Sequence, residues 1–282
     1  MSLVTMKELL QDAQKRRYAV GGFNVFNLET LGAVVEVAEE LKTPLVLGIT
    51  ERFFKFVDVE TLSAAMVKAA QKSNVPIALH LDHGHTYEGI MKAIRWGYTS
   101  VMFDGSALPL DENIKRTKEV SRIAHSLGVS VEGELGYIGC YPENCEIEAQ
   151  QCIDAEQAAM FAERSRIDAL AVAVGSHNSA MRQDNGLNFE RVRALTGKVE
   201  IPLVMHGGAR LSREDYLGSI QVGISKINIP TDTSMVAGDK LRDELARHPK
   251  ANYIHLMTVV KKGVKESVRK YMLHFDCISK AI

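Results

Sequence analysis

The stretch PIALHLDHG, Pro76 to Gly84, decides the fold. Its apolar run, Ile77, Leu79 and Leu81, stops at Asp82-His83-Gly84, the pattern of a buried strand that delivers a carboxylate and an imidazole to its C-terminal tip. The chain repeats the arrangement. Apolar runs end at Asp104 (SVMFD), at Glu132 and Glu134 (VSVEGE), at Gly175-Ser176-His177 (ALAVAVGSH), at His206-Gly207-Gly208 (PLVMHGG) and at Asn228 (SKINI). As parallel strands of one sheet, these runs carry histidines, carboxylates and a glycine-rich turn to a single edge.

Upstream, AVGGFNV at 19–25 holds Asn24 near its end and PLVLGIT at 44–50 closes on Thr50, which supplies the first two strands. Helical periodicity fills the gaps. It runs over Met6 to Arg16 behind a Thr5 cap, Leu28 to Leu41, Glu60 to Lys72, Tyr87 to Arg95, Asp111 to about His125, and Ala155 to Arg164. It resumes over Phe189 to Leu195, Arg213 to Val222 behind Ser212, Asp232 to Arg247, and a last amphipathic helix from about His255 to Phe275. Residues 136–153 have turn formers, acids and cysteines but no clear period, which reads as a lid. Eight strand-helix units with near-continuous apolar strands predict an α/β fold, a (β/α)8 TIM barrel with an extra N-terminal and a C-terminal helix, as one domain over residues 1–282. A doubly wound sheet would want GxGxxG after its first strand, and GGFN at 21–24 is not that.

At 282 residues, 46% hydrophobic and 24% charged, the chain can bury a large core. A formal net charge of -1 without a long basic block argues against nucleic acid or an anionic membrane as partner. No apolar run reaches the roughly 18 residues of a membrane helix and no secretory signal opens the chain, so a cytoplasmic protein is expected. Cys140, Cys145, Cys152 and Cys277 are expected as free thiols, since C-x4-C-x6-C is not zinc-ribbon spacing.

His83, His177 and His206 end strands three, six and seven, so a closed barrel lets them meet above its axis. Three neutral imidazoles with an open fourth position make a catalytic zinc site, whereas a lone strand-end histidine caps a carbonyl about as often. His80, alternating with Leu79, Leu81 and His83, is expected to point away from the site. Asp82 shares the mouth, although spacing alone does not give it an acid/base role. Asp104, Glu132 and Glu134 can hold a second cation, and Lys226 can neutralise a carboxylate inside the barrel. Gly207-Gly208-Ala209 and Asn228-Ile229-Pro230-Thr231 follow the last two strands, where barrels cradle phosphate on backbone amides.

These blocks, LHLDHG (79–84), VMFDGS (101–106), VEGELG (131–136), LAVAVGSH (170–177), LVMHGG (203–208) and KINIPTDT (226–233), resemble in order those of the class II, metal-dependent ketose-bisphosphate aldolases. The resemblance spans nearly the whole chain. It implies Zn2+ bound by His83, His177 and His206, with Asp104 and Glu134 at a second or alternative cation position, divalent or monovalent. It implies Asp82 as proton donor to the aldehyde half, and a loop acid, Glu143 with Glu146 and Glu148 as competitors, removing the proton from dihydroxyacetone phosphate. A phosphorylated ketose of fructose or tagatose type is the implied substrate, in a homodimer or homotetramer. Asn24, Thr50, Asn178, Gly207, Gly208, Ala209, Arg210, Asn228, Ile229, Pro230 and Thr231 are the substrate-binding residues this gives. The chain departs from the family at Gly175-Ser176-His177-Asn178, where a glycine is lost, and at Ala209-Arg210, where a hydroxyl is lost and a cation gained. That departure motivates an alternative, a sugar-phosphate or sugar-acid aldolase or binding paralogue. A metal-dependent barrel hydrolase would want an H-x-H pair on strand one, which GGFNVFN lacks.

Overall fold

The computed structural model describes residues 2–136, 154–172, 187 and 189–281. Among them, eight parallel strands close into a barrel in chain order: β1 (Val20–Asn24), β2 (Leu45–Thr50), β3 (Ile77–Gly84), β4 (Ser100–Phe103), β5 (Ser130–Leu135), β6 (Ala169–Val172), β7 (Leu203–Met205) and β8 (Ile224–Ile229), the last pairing with β1. This is the expected (β/α)8 TIM barrel. Helices α2 (Leu28–Leu41), α3 (Val59–Lys72), α4 (Tyr87–Arg95), α5 (Leu110–Ser126), α6 (Ala155–Ser165), α7 (Phe189–Thr196), α8 (Arg213–Gln221) and α9 (Asp232–Arg247) alternate with them. A 3-10 helix, Glu51–Lys55, follows β2 and has no counterpart in the periodicity.

Two helices lie outside the repeat. The first, α1 (Met6–Arg16), is fixed by a capping box in which Thr5 and Glu8 satisfy each other's backbone N–H groups. It buries Met6, Leu9, Leu10 and Ala13 and packs across β1, β3, β5 and β8, with Met6 Sδ 3.5 Å from Ser100 Oγ. It therefore closes the N-terminal end of the barrel and leaves the other end for chemistry. The last helix, α10 (Tyr253–His274), buries Val260, Val264, Val268, Tyr271 and Met272 against its own barrel, between α2 and α9. Lys261 and Lys265 pair with Glu36, and Lys265 with Glu40, along that seam.

Cys277 is a buried free thiol, with its pKa pushed up to about 12 by burial. Cys140, Cys145, Cys152, the expected lid with Glu146 and Glu148, and the end of strand six beyond Val172 lie outside the described residues.

Candidate active site

The mouth is organised by a break in β3. From Ile77 to Asp82 the strand is regular, and its pairing with β4 shifts register between Leu81 and Gly84. His83 sits there at φ 46°, the left-handed region that a non-glycine residue enters at a cost of about 1–2 kcal/mol. The bulge turns two successive side chains, Asp82 and His83, into the same mouth, which strict alternation forbids. It also corrects the expectation for His80, which shares the inward face with Asp82. Its Nδ1 is 2.8 Å from Ser100 Oγ and its Nε2 is 3.6 Å from Glu132 inside the barrel. Burial, with Lys226 next, lowers the His80 pKa to about 3, so the ring is neutral.

Asp82 is buried and held from three strands. Asn24 Nδ2 donates to its Oδ2 at 2.9 Å, Thr50 Oγ1 to the same oxygen at 3.1 Å, and Asn228 Nδ2 to its Oδ1 at 3.1 Å. Burial pushes this carboxyl upward, but the charges of His83 and His206 outweigh it and hold the pKa well below the usual carboxylate range. Opposite, His206 Nε2 is 2.7 Å from Glu132 Oε1, and Lys226 Nζ donates to Glu132 Oε2 at 2.6 Å, with Glu132 and Lys226 fully buried. The expected partner for a barrel carboxylate is thus Lys226.

The two imidazoles test whether a metal fits. His83 Nδ1 lies 2.7 Å from Asp104 Oδ2, and a carboxylate can only accept, so Nδ1 carries a proton. By the same reasoning His206 carries its proton on Nε2, toward Glu132. The remaining nitrogens, His83 Nε2 and His206 Nδ1, face each other at 3.0 Å. A proton or a metal ion between them is what allows so close an approach, and two nitrogens on one tetrahedral zinc stand about 3.3 Å apart. Burial alone would lower the His83 pKa, but Asp82, the Asp104 hydrogen bond and Glu134 raise it to about 10. Without metal that positive charge is the second proton of His83, and Asp82, His83 and His206 offer atoms within 4.8 Å of one another that a metal ion can take up in its place.

On the far side of the His83 ring, Asp104 and Glu134 form a second such group with it, Glu134 Oε2 being 3.6 Å from His83 Nδ1. Burial pushes the Asp104 carboxyl up, and the His83 contact more than offsets it, leaving the pKa below the usual range.

The loops after β7 and β8 meet where the phosphate cradle is expected. Gly208 N donates to Asn228 O at 3.0 Å, and a Cβ on Gly208 would lie 2.3 Å from Ile227 Cγ2 and 3.2 Å from that same oxygen, so the close approach needs glycine. Gly207 and Arg210 both have φ 63°. The Arg210 side chain leans on Asp232 (Nε to Oδ1, 3.3 Å), which Tyr271 and Ser267 hold from α10. Ala209 follows Gly208 on this turn, and Ile229, Pro230 and Thr231 continue β8 toward α9. Glu143, His177 and Asn178 lie outside the described residues. Sequence reasoning missed Glu51, which accepts from His85 N and Thr86 N and clasps the β2 loop to the β3 loop. It also passed over Arg52 and Lys55 in ERFFK, whose lack of period hid a 3-10 turn.

A closed parallel barrel whose C-terminal mouth gathers imidazoles and carboxylates around a cation-sized gap is the framework of a (β/α)8 enzyme. The family profile described as fructose-bisphosphate aldolase class-II matches residues 4–280. A Bacillus subtilis (strain 168) protein named "Probable fructose-bisphosphate aldolase" is 36% identical over 285 residues, covering 100% of both chains. The X-ray structure of the YdjI aldolase from Escherichia coli K12 has a TM-score of 0.86 at 36% identity, covering 99% of this chain and 100% of that one. A fructose-bisphosphate aldolase (Fba) structure from Campylobacter jejuni shares the fold at 20% identity, TM-score 0.83, covering 99% and 97%. The chain belongs to the class-II fructose-bisphosphate aldolase family, and its reaction is that of an aldehyde-lyase.

Proposed function

We propose that this chain, a single catalytic domain over residues 1–282, reversibly cleaves a ketose (bis)phosphate of fructose or tagatose type into dihydroxyacetone phosphate and an aldehyde, with zinc as cofactor. The observation that carries the metal part is the 3.0 Å approach of His83 Nε2 to His206 Nδ1, each ring anchored from behind by a carboxylate. His83, His206 and His177 would hold the ion, with Asp104 and Glu134 available to a second. Zinc, when bound, supplies Lewis acidity to the substrate carbonyl.

The protein's own residues supply the rest. Asp82 exchanges the proton of the aldehyde oxygen: it takes it from the hydroxyl during cleavage and returns it during condensation. Its hydrogen bonds from Asn24, Thr50 and Asn228 fix which oxygen faces the mouth, and a substrate that displaces water strengthens the burial effect that lets it hold a proton. Glu143 takes the carbon-bound proton of dihydroxyacetone phosphate. The segments Gly207-Gly208-Ala209 and Asn228-Ile229-Pro230-Thr231 cradle the phosphate, with Asn178 and Arg210 beside them. A cytoplasmic homodimer or homotetramer is the assembly this reading carries.

A second reading, an aldolase or binding paralogue acting on a sugar acid, is favoured by one observation: Arg210 takes a left-handed conformation and rests on Asp232 at the edge of the cradle. Both readings meet one experiment. Cleavage of fructose and tagatose bisphosphates, followed as dihydroxyacetone phosphate release, should vanish on chelation, return with zinc and survive borohydride treatment with substrate. Covalent trapping on a lysine would sink the metal mechanism, and zinc-restored protein inert toward every ketose phosphate would favour the paralogue.

A further inference from the structure

The turn after β7 is held by the hydroxyls of two tyrosines that belong to helices. Tyr216, on α8 and fully buried, donates to Gly208 O at 2.5 Å and accepts from Leu211 N at 3.3 Å, so one side chain bridges both ends of the 208–211 segment. Tyr271, on α10, accepts from Arg210 N at 3.4 Å and donates at 2.9 Å to Oδ2 of Asp232, the carboxylate on which the Arg210 side chain leans. The two rings meet edge to face at 6.3 Å, and Phe275 packs on Tyr216 at 5.2 Å. The hydroxyls are therefore fixed by an aromatic cluster behind the turn.

These bonds dispose of the polar backbone of the turn almost completely. Gly208 N goes to Asn228 O, Gly208 O and Leu211 N go to Tyr216, and Arg210 N goes to Tyr271. Among the described residues the Ala209 N–H has no partner. Arg210, at φ 63°, occupies a region that a residue with a side chain takes up only where its surroundings hold it there. The tyrosines are those surroundings, since neither Ala209 nor Arg210 has glycine's freedom. Burial pushes the Tyr216 hydroxyl above its usual value and that of Tyr271 up to about 12, so both keep the proton they donate.

We propose that Tyr216 and Tyr271 are positioning residues for the phosphorylated donor half: their hydroxyls hold the 207–211 turn in the conformation that leaves the Ala209 N–H to meet the phosphate. The inference rests on the aldolase reading, which puts a phosphate on this turn. It goes beyond that reading by drawing α10, a helix outside the barrel repeat, into donor recognition. Neither hydroxyl touches the substrate, so each acts through the backbone it holds.

Zinc-loaded wild type, Tyr216→Phe, Tyr271→Phe and the double variant are compared in condensation of dihydroxyacetone phosphate with glyceraldehyde 3-phosphate. Each phenylalanine keeps the ring and removes one hydroxyl, which should raise the KM for dihydroxyacetone phosphate about fivefold, and further in the double variant, with the loss in KM rather than kcat. Titration calorimetry with inorganic phosphate should show its affinity weakened by a similar factor while zinc affinity holds. Thermal melting checks folding, and the single variants carry the test if the double variant melts early. A KM and a phosphate affinity that stay at wild-type values in every folded variant overturn the inference, as does a parallel fall of kcat and zinc affinity, which would mark a general loosening of the barrel. If the wild type condenses no dihydroxyacetone phosphate, the aldolase reading fails first and the phosphate titration decides the turn alone: saturable heat weakened in the variants supports the inference, and equal heat throughout, or none in the wild type, sinks it.

Discussion

Glu132 accepts from His206 through one oxygen at 2.7 Å and from Lys226 through the other at 2.6 Å, which makes it the link between the barrel interior and the mouth. A carboxylate in this position fixes the tautomer of His206, so that Nδ1 rather than Nε2 faces His83. In Glu132→Gln one of the two donors meets an amide N–H. Breaking a buried pair of this kind costs about 3–5 kcal/mol, and loss of such support typically weakens metal binding about 10–100-fold. Denaturant melts and zinc competition titrations check both, and an unchanged zinc affinity would remove Glu132 from the site. Asp82→Asn is expected to behave differently. The amide keeps a similar shape for Asn24, Thr50 and Asn228 but cannot exchange the proton, so kcat should fall about 10²–10⁴-fold while zinc affinity falls far less. Stopped-flow rates beside a zinc titration separate those two effects.

At the scale of elements, the end of β3 sets the geometry, and Gly84 is its tightest point. A Cβ there would lie 2.6 Å from Met102 O on β4 and 2.9 Å from Ile90 on α4. Gly84→Ala should therefore push β3 from β4 beside the His83–Asp104 contact, destabilising the protein by about 1–3 kcal/mol, with zinc affinity reduced alongside. Melting and zinc titration on the same sample test this, and a fully stable variant with wild-type zinc affinity would show that the bulge is not so constrained. The same element shows what the sequence could and could not display. α1, α2 and α4 are legible to the residue because caps and apolar stripes are local signals. The barrel was legible because strands such as β2, β6 and β7 are near-continuous apolar runs buried along their whole length. His80 was misjudged because period two holds only while the backbone stays extended, and φ 46° at His83 ends it. The pairing of Lys226 with Glu132 depends on barrel register between β5 and β8, which no local pattern encodes, and the 3-10 turn carrying Arg52 and Lys55 is too short to show a period.

For the whole molecule, the barrel interior makes stability depend on pH in two opposite ways. His80 has its pKa lowered from 6.5 to about 3 by burial. Between those values the unfolded chain binds the proton that the folded barrel refuses, so stability rises with pH across this window, by up to about 1.4 kcal/mol per pH unit, and is complete above 6.5. Asp82, Asp104 and Glu132, all held low despite burial, add their own loss only below about 4.5. His83 works the other way. Its pKa is raised to about 10 against the opposition of burial, so its contribution is full below 6.5 and is lost as pH climbs toward 10. Metal-free protein should thus melt highest near pH 6.5 and decline on both sides. Zinc replaces the His83 proton as the positive charge between Asp82, Asp104 and Glu134, so loading should lift the alkaline arm, leave the acid arm between pH 6.5 and 4.5 in place, and release about one proton at pH 8. Calorimetry in buffers of different ionisation enthalpy counts that proton, and melting from pH 4 to 10 with and without zinc reads the arms. An alkaline decline that zinc does not touch would mean that the charge the His83 cluster calls for is not the metal's.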